Sequence, residues 1–167
     1  MAAAKKNKNK KQDETSSSGR ISVTRNRKAR HHYEILDKLE CGLSLKGSEV
    51  KMLRSGQCSI DEAFARVQNG EVWLCDMDIP EYPQANLLNH EPKRDRKLLM
   101  KKREIEKFAE SASQQGLTLV PLEIYFIRGN AKVLLAIGRG RKSHDKRDKI
   151  KKQVDKREMR EAKLRGR

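Results

Sequence analysis

The feature that most constrains this chain is how its charge is divided. Residues 1–31 carry a net charge of +8, residues 32–138 carry −1, and residues 139–167 carry +9. A packed domain must bury enough apolar surface to offset the entropy of ordering its backbone. Its charges must also not repel one another strongly. Only the middle segment meets both conditions, so the folded domain is expected over 21–138. Residues 1–20, rich in Ala, Lys, Asn, Gln and Ser, read as a disordered basic extension. Residues 139–167 read as a basic tail in which Ile150, Val154 and Met159 are too sparse for a continuous buried stripe. A lone helix of that length is marginal in water. The tail is therefore expected to be unfolded in the free protein and able to become helical on RNA. A solvated tail that only aids solubility fits the charge about as well.

The whole chain has 39 Lys and Arg against 23 Asp and Glu, a net +16. Such a surplus favours a polyanionic partner, because each neutralised phosphate releases condensed counterions. No apolar run approaches the roughly 20 residues that span a bilayer, so no membrane partner is expected. The early lysines are followed by no apolar stretch, which argues against a secretory signal. Cys41, Cys58 and Cys75 are scattered, with no paired spacing and no His cluster. They read as reduced thiols of a cytoplasmic protein, with neither a metal nor another cofactor.

Along the middle, alternation over 32–46 predicts one long strand bent at Gly42, or two strands. Gly47-Ser48-Glu49 predicts a short helix capped by Ser48 and ending near Gly56. Ile60 to Val67 and Val72 to Ile79 predict a hairpin about Asn69-Gly70, with Trp73 in the core. Pro80, Pro83 and Pro92 bracket an irregular loop. Arg94 to Gln115 predicts the longest helix, with Leu98, Ile105, Phe108 and Ala112 on one face and Gly116 closing it. Its basic residues, Arg94, Arg96, Lys97, Lys101, Lys102 and Arg103, fall on the polar side. Leu117 to Ile127 and Ala131 to Ile137 predict a second hairpin. About six strands, a short helix and a longer one are compatible with an antiparallel barrel.

No Walker loop, nucleophile elbow or zinc-protease motif is present. Glu40 and Glu49 as an acid–base pair are outweighed by a plainer reading, an exposed strand carboxylate and a helix-start carboxylate. No catalytic residue is expected. The basic segments carry more. Asn26-Arg27-Lys28-Ala29-Arg30-His31-His32-Tyr33 combines cations, an amide and rings, which suit phosphates and unpaired bases. A charged linker entering a strand is the bland alternative. Gly138-Arg139-Gly140-Arg141-Lys142 follows a strand directly, and its glycines allow close backbone approach to a partner.

These segments, in this order, resemble the small protein B (SsrA-binding protein) family. The matching pieces are Asn26-Arg27-Lys28-Ala29-Arg30-His31, Gly47-Ser48-Glu49-Val50-Lys51 with Arg54-Ser55-Gly56, and Glu71-Val72-Trp73-Leu74. They continue with Arg94-Asp95-Arg96-Lys97-Leu98-Leu99, then Gly116-Leu117-Thr118-Leu119-Val120-Pro121-Leu122, Tyr125-Phe126 and Ala131-Lys132-Val133. Last come Gly140-Arg141-Lys142 and Asp145-Lys146-Arg147, so the likeness covers roughly residues 20–160. The resemblance implies a mainly β fold: a six-stranded antiparallel oligonucleotide-binding-type barrel with about three flanking helices. It implies a monomeric adaptor that binds the tRNA-like domain of transfer-messenger RNA and acts on stalled ribosomes in trans-translation. Together with the basic segments, it points to Asn26, Arg27, Lys28, Arg30, His31, Glu40, Lys132, Arg139 and Arg141 as RNA contacts. Glu40 would serve as a hydrogen-bond acceptor, since it repels phosphate. Gly140, Lys142, His144, Asp145, Lys146 and Arg147 match the tail root that probes the decoding centre and empty mRNA channel of the small subunit. Two departures stand out: Cys41 where the family usually has Ala, and Leu134 where a basic residue is common. A general basic ribosome-associated protein and an RNA-processing enzyme using His and Glu remain as alternatives.

Overall fold

A computed structural model describes residues 19–85, 89–113 and 116–141, together with residue 159. Residues 1–18 of the stretch expected to be disordered over 1–20, and the tail beyond residue 141 apart from residue 159, lie outside the described residues. The elements run β1 (Arg20–Arg25), α1 (Ala29–His32), β2 (Tyr33–Leu43), α2 (Gly47–Arg54), β3 (Phe64–Gln68) and β4 (Glu71–Cys75). They continue with β5 (Arg96–Leu99), α3 (Lys102–Ser113), β6 (Leu117–Ile127) and β7 (Asn130–Gly140).

The strand order is β1-β6-β3-β4-β5-β2-β7, with a further β6–β7 pairing. That last pairing closes a ring of six antiparallel strands, β2-β7-β6-β3-β4-β5. The six-stranded barrel expected from the sequence is this ring. The seventh strand, β1, lies along the second half of β6, pairing Arg20 with Ile127 and Arg25 with Glu123. It replaces the last residue of the expected disordered arm and the linker after it.

Local chemistry explains most of the elements. Asn69 and Gly70 both take left-handed φ, 53° and 72°, so the β3–β4 hairpin turns through the primed geometry that suits twisted strands. Arg128 and Gly129, at 48° and 79°, do the same for β6–β7. β2 is one continuous strand through Gly42, and its side chains alternate until Cys41 and Leu43 enter the core. Leu53, Ile60, Leu74, Met77, Leu98, Phe108, Ile124 and Leu135 fill the barrel interior. A smaller cluster of Ala29, Val120, Leu122 and Ala136 lies outside the barrel wall, beneath α1. β6 is therefore covered on both faces.

Three expectations are corrected. The long helix over 94–115 is a strand and a shorter helix, because Val72, Trp73 and Leu74 pair with Leu98, Lys97 and Arg96. Helical spacing from Leu98 to Phe108 arose from a strand residue and a helix residue that fill the same core. Trp73 is half-buried on the outer face of β4, while Val72 and Leu74 point inward. Alternation was read correctly there and its phase was not. Finally, α2 starts one residue before Ser48, and the Glu49 carboxylate accepts the Lys46 backbone N–H at 2.6 Å.

Glu49 and Arg96 are both fully buried. Arg96 Nε donates to Glu49 at 2.8 Å, and Arg94 donates through Nε at 2.9 Å and through a terminal nitrogen at 2.5 Å. Arg96 also caps the carbonyls of Met77, Arg94 and Pro92. Burial alone would push the Glu49 carboxyl up. Hydrogen bonds from Arg94 and Lys46 and the nearby guanidinium charges outweigh burial and hold it below the ordinary carboxylate range. This network ties α2 to the strand-poor stretch between β4 and β5. Arg94 and Arg96 are thus framework, not part of a solvated helix face.

Candidate nucleic-acid interface

The site is built on the outer side of β6 and its neighbours. The β6–β7 register shifts between Pro121 and Glu123, which frees Leu122 from the ladder. The Leu122 carbonyl instead accepts the Asn26 N–H at 2.9 Å. Asn26 is 5% exposed, and its side-chain amide donates to the Ile60 carbonyl at 2.9 Å. Its side-chain oxygen accepts the Ala29 N–H at 2.8 Å. Asn26 thereby fixes the segment between β1 and α1 at both of its ends. The single turn of α1 drives Ala29 into the outer cluster and leaves Arg27, Lys28, Arg30 and His31 exposed. The segment is a built element and not merely a charged linker. His31 stacks on His32 with ring centroids 5.4 Å apart, and Lys28 pairs with Asp61 at 3.0 Å.

Beside α1 runs a groove lined by Arg20, Arg25, Arg27, Arg30, Glu123 and Leu134, with Asn26 and Leu122 in its floor. Four arginines face one carboxylate there. Glu123 is held by Arg20 at 2.7 Å, Ser22 at 2.8 Å and Arg25 at 3.0 Å. Burial would raise its pKa. The bonds from Ser22 and Arg25 and the charges of Arg20 and Arg25 outweigh it and hold the carboxyl low.

Two residues along β6, Tyr125 is 1% exposed and lies under the Arg20 guanidinium, 3.7 Å from the ring centroid. Its hydroxyl donates to Glu40 Oε2 at 2.5 Å, and Lys132 Nζ lies 3.6 Å from Glu40 Oε1. Burial first, then the Glu40 hydrogen bond, raises the phenol pKa well above its usual value, so it stays protonated as a donor. The register accounts for the grouping: Tyr125 pairs with Lys132, and Lys132 pairs with Gly42, two residues from Glu40. Glu40 and Lys132 were expected from the sequence, and the fold brings them together. Arg20, Arg25, Glu123 and Tyr125 were not expected. Arg20 and Arg25 fell in the part read as arm and linker. Only the alternation that puts Ile124 and Phe126 inward pointed to Tyr125 facing outward.

Arg139 is exposed at the end of β7. Gly140 sits opposite Tyr33, and the Arg141 N–H donates to the His32 carbonyl at 2.9 Å. The Arg141 Nε is buried with no hydrogen-bond partner among the described residues. The chain therefore leaves the barrel at the foot of α1. Lys142, His144, Asp145, Lys146 and Arg147 lie outside the described residues.

Elsewhere the chemistry is quiet. Burial pushes the thiols of Cys41, Cys58 and Cys75 up to about 12, 11 and 11, which makes them poor nucleophiles. Among the described residues no His, Cys, Asp and Glu cluster is arranged to hold a metal ion, and no helix is long and apolar enough to cross a membrane.

The model of the SmpB protein family matches residues 23–165. The SsrA-binding protein of Mesorhizobium japonicum is 56% identical over 128 residues, covering 76% of this chain and 80% of that protein. The SsrA-binding protein of Desulforudis audaxviator is 52% identical over 138 residues, covering 83% of this chain and 90% of its own. Among solved structures, a chain described under "tmRNA-SmpB: a journey to the center of the bacterial ribosome" matches with a TM-score of 0.62 and 48% identity. That match covers 72% of this chain and 85% of the other. With a cationic groove on an antiparallel barrel and these likenesses over most of its length, the chain belongs to the SmpB protein family.

Proposed function

We propose that this protein binds the tRNA-like domain of transfer-messenger RNA and delivers it to stalled ribosomes for trans-translation in the cytoplasm. The observation that carries this reading is the continuity of two features on one side of the barrel. The arginine groove beside α1 supplies a field for phosphates, and the Glu40–Tyr125–Lys132 group supplies a fixed acceptor and a cation. Phosphate contacts position a nucleic acid, while an acceptor reads base edges or a ribose 2′-OH. Asn26 contributes by fixing Arg27, Lys28, Arg30 and His31 in place. Arg139 and Arg141 extend the positive surface towards the tail.

In this reading the protein is an adaptor and not a catalyst. Glu49 is fully buried against Arg94 and Arg96 and reaches no substrate, and Glu123 is held by Arg20, Ser22 and Arg25. Residues 141–167 form a separate working part, since Arg139 and Gly140, expected in the tail, are the last residues of β7. Lys142, His144, Asp145, Lys146 and Arg147 enter the vacant mRNA channel and report to the decoding centre, while Gly140, paired with Tyr33 in β7, stays in the barrel at their root. Exclusion by an occupying messenger makes the tail a sensor of vacancy.

Deleting residues 143–167 tests this division of labour. Affinity for the tRNA-like domain is expected to stay within about threefold, since the groove is untouched. Tagging of stalled chains is expected to vanish. Loss of RNA binding on deletion would refute the division between barrel and tail.

A further inference from the structure

β1 separates two grooves of opposite character. Arg20, Ser22 and Arg25 turn towards Glu123 and the arginine groove. Ile21 and Val23 turn the other way, where an apolar pocket of about 470 Å³ opens between β1, the end of α2 and the β6–β7 turn. Ile21, Val23, Leu53 and Phe126 wall this pocket, with Arg54 and Arg128 at its rim and no carboxylate among the described residues that line it. Ile21 is 67% exposed, unusual for an isoleucine in a strand. Neither Arg54 nor Arg128 joins an ion pair among the described residues. β1 itself ends the sheet, with β6 on one edge and no strand on the other among the described residues. Its free edge carries backbone groups able to take an added strand.

We propose that this pocket and the open edge of β1 form a docking site for an acidic, extended peptide segment of a partner protein. The segment pairs along β1, places a bulky apolar side chain against Ile21 and Val23, and sets carboxylates against Arg54 and Arg128. The lining selects this occupant over two others. The only aromatic wall, Phe126, is 6% exposed and has the Arg54 guanidinium 6.0 Å above its ring, so no open face is left for a base to stack on. The chain's own residues 1–18 carry five lysines against Asp13 and Glu14, a net +3 that the two rim arginines repel. Because β1 stands between the grooves, RNA and the peptide can be held at once.

The probe is a fluorescein-labelled, end-blocked nonapeptide alternating glutamate with valine and leucine, titrated into the full chain by fluorescence anisotropy. Its counterpart has lysine in place of glutamate. The acidic peptide is expected to bind at least about tenfold more tightly than the lysine version, and the Arg54→Glu, Arg128→Asp double variant is expected to reverse that order. Ile21→Asp, at an exposed position and with both arginines kept, is expected to lose the acidic peptide. Amide shift changes should gather at 20–25, 53–56 and 126–129. Affinity of the double variant for the tRNA-like domain should stay unchanged, which also shows that it folds. Equal binding of the two peptides, no binding, or an unchanged preference in the double variant would overturn the proposal. So would displacement by decauridylate or by a peptide of residues 1–18.

Discussion

Glu49 shows how much a single residue can carry in a small barrel. Its carboxylate takes bonds from Arg94, Arg96 and the Lys46 amide, with no solvent contact of its own. Removing it leaves the Arg96 guanidinium buried and uncompensated. Glu49→Ala should therefore cost about 3–5 kcal/mol in urea unfolding. A cost under about 1 kcal/mol would show that water or a neighbour replaces the carboxylate. The same group sets an acid limit. Its folded pKa lies below the ordinary 4.5, so its contribution is complete above that value and is lost as pH falls towards the folded one. Melting temperature followed from pH 6 to pH 3 should fall through this window, and Glu49→Gln should flatten that part of the curve. Tyr125 is tied in a similar way within the proposed interface. Tyr125→Phe leaves the ring under Arg20 but frees Glu40. Affinity for the tRNA-like domain should drop by about 1 kcal/mol, roughly fivefold, with little change in melting. Neither role was legible in the sequence, because the arginine partners of Glu49 lie 45 and 47 residues away and Tyr125 meets Glu40 across 85 residues.

At the scale of elements, local signals succeeded where the turn chemistry was local. Asn69-Gly70 and Arg128-Gly129-Asn130 mark hairpins that the backbone angles account for. They failed where a short strand owes its state to distant pairing. β5 has four residues and becomes a strand only because β4 and β2 flank it. β1 does alternate Ile21 and Val23 with polar residues, but it is only six residues long and follows a lysine-rich arm, so its strand signal was outweighed by its surroundings. It earns its place by covering β6. The meeting of β7 and the start of β2 can be tested directly. A Cβ on Gly138 would meet Tyr33 atoms at 3.0, 3.3 and 3.4 Å. Tyr33 packs on the Ala29, Val120, Leu122 and Ala136 cluster, so it cannot yield freely. Gly138→Ala should destabilise the barrel by about 1–3 kcal/mol in urea and weaken RNA binding through α1. A stabilised variant would mean that the outer cluster is loosely packed.

For the whole molecule, the division of charge seen in the sequence underlies the proposed division of labour between barrel and tail. The nearly neutral middle closes a barrel, and its outer face gathers Arg20, Arg25, Arg27 and Arg30 beside a fixed carboxylate and lysine. The chain then leaves that face through Arg139 and Arg141. The fold class and the α1 segment were readable because charge segregation and turn residues are local properties. The groove was not, since β1 and β6 build it from residues about a hundred positions apart. The most direct test of the account is the affinity of the full chain for the tRNA-like domain, measured across salt concentrations against a duplex of equal length. The account predicts a steep linear fall of log affinity with log salt, at a slope near −0.9 for each phosphate neutralised. It also predicts a preference for the tRNA-like fold of at least about a thousandfold that persists at physiological salt. Equal affinity for the two RNAs, in a chain shown to be folded, would contradict it.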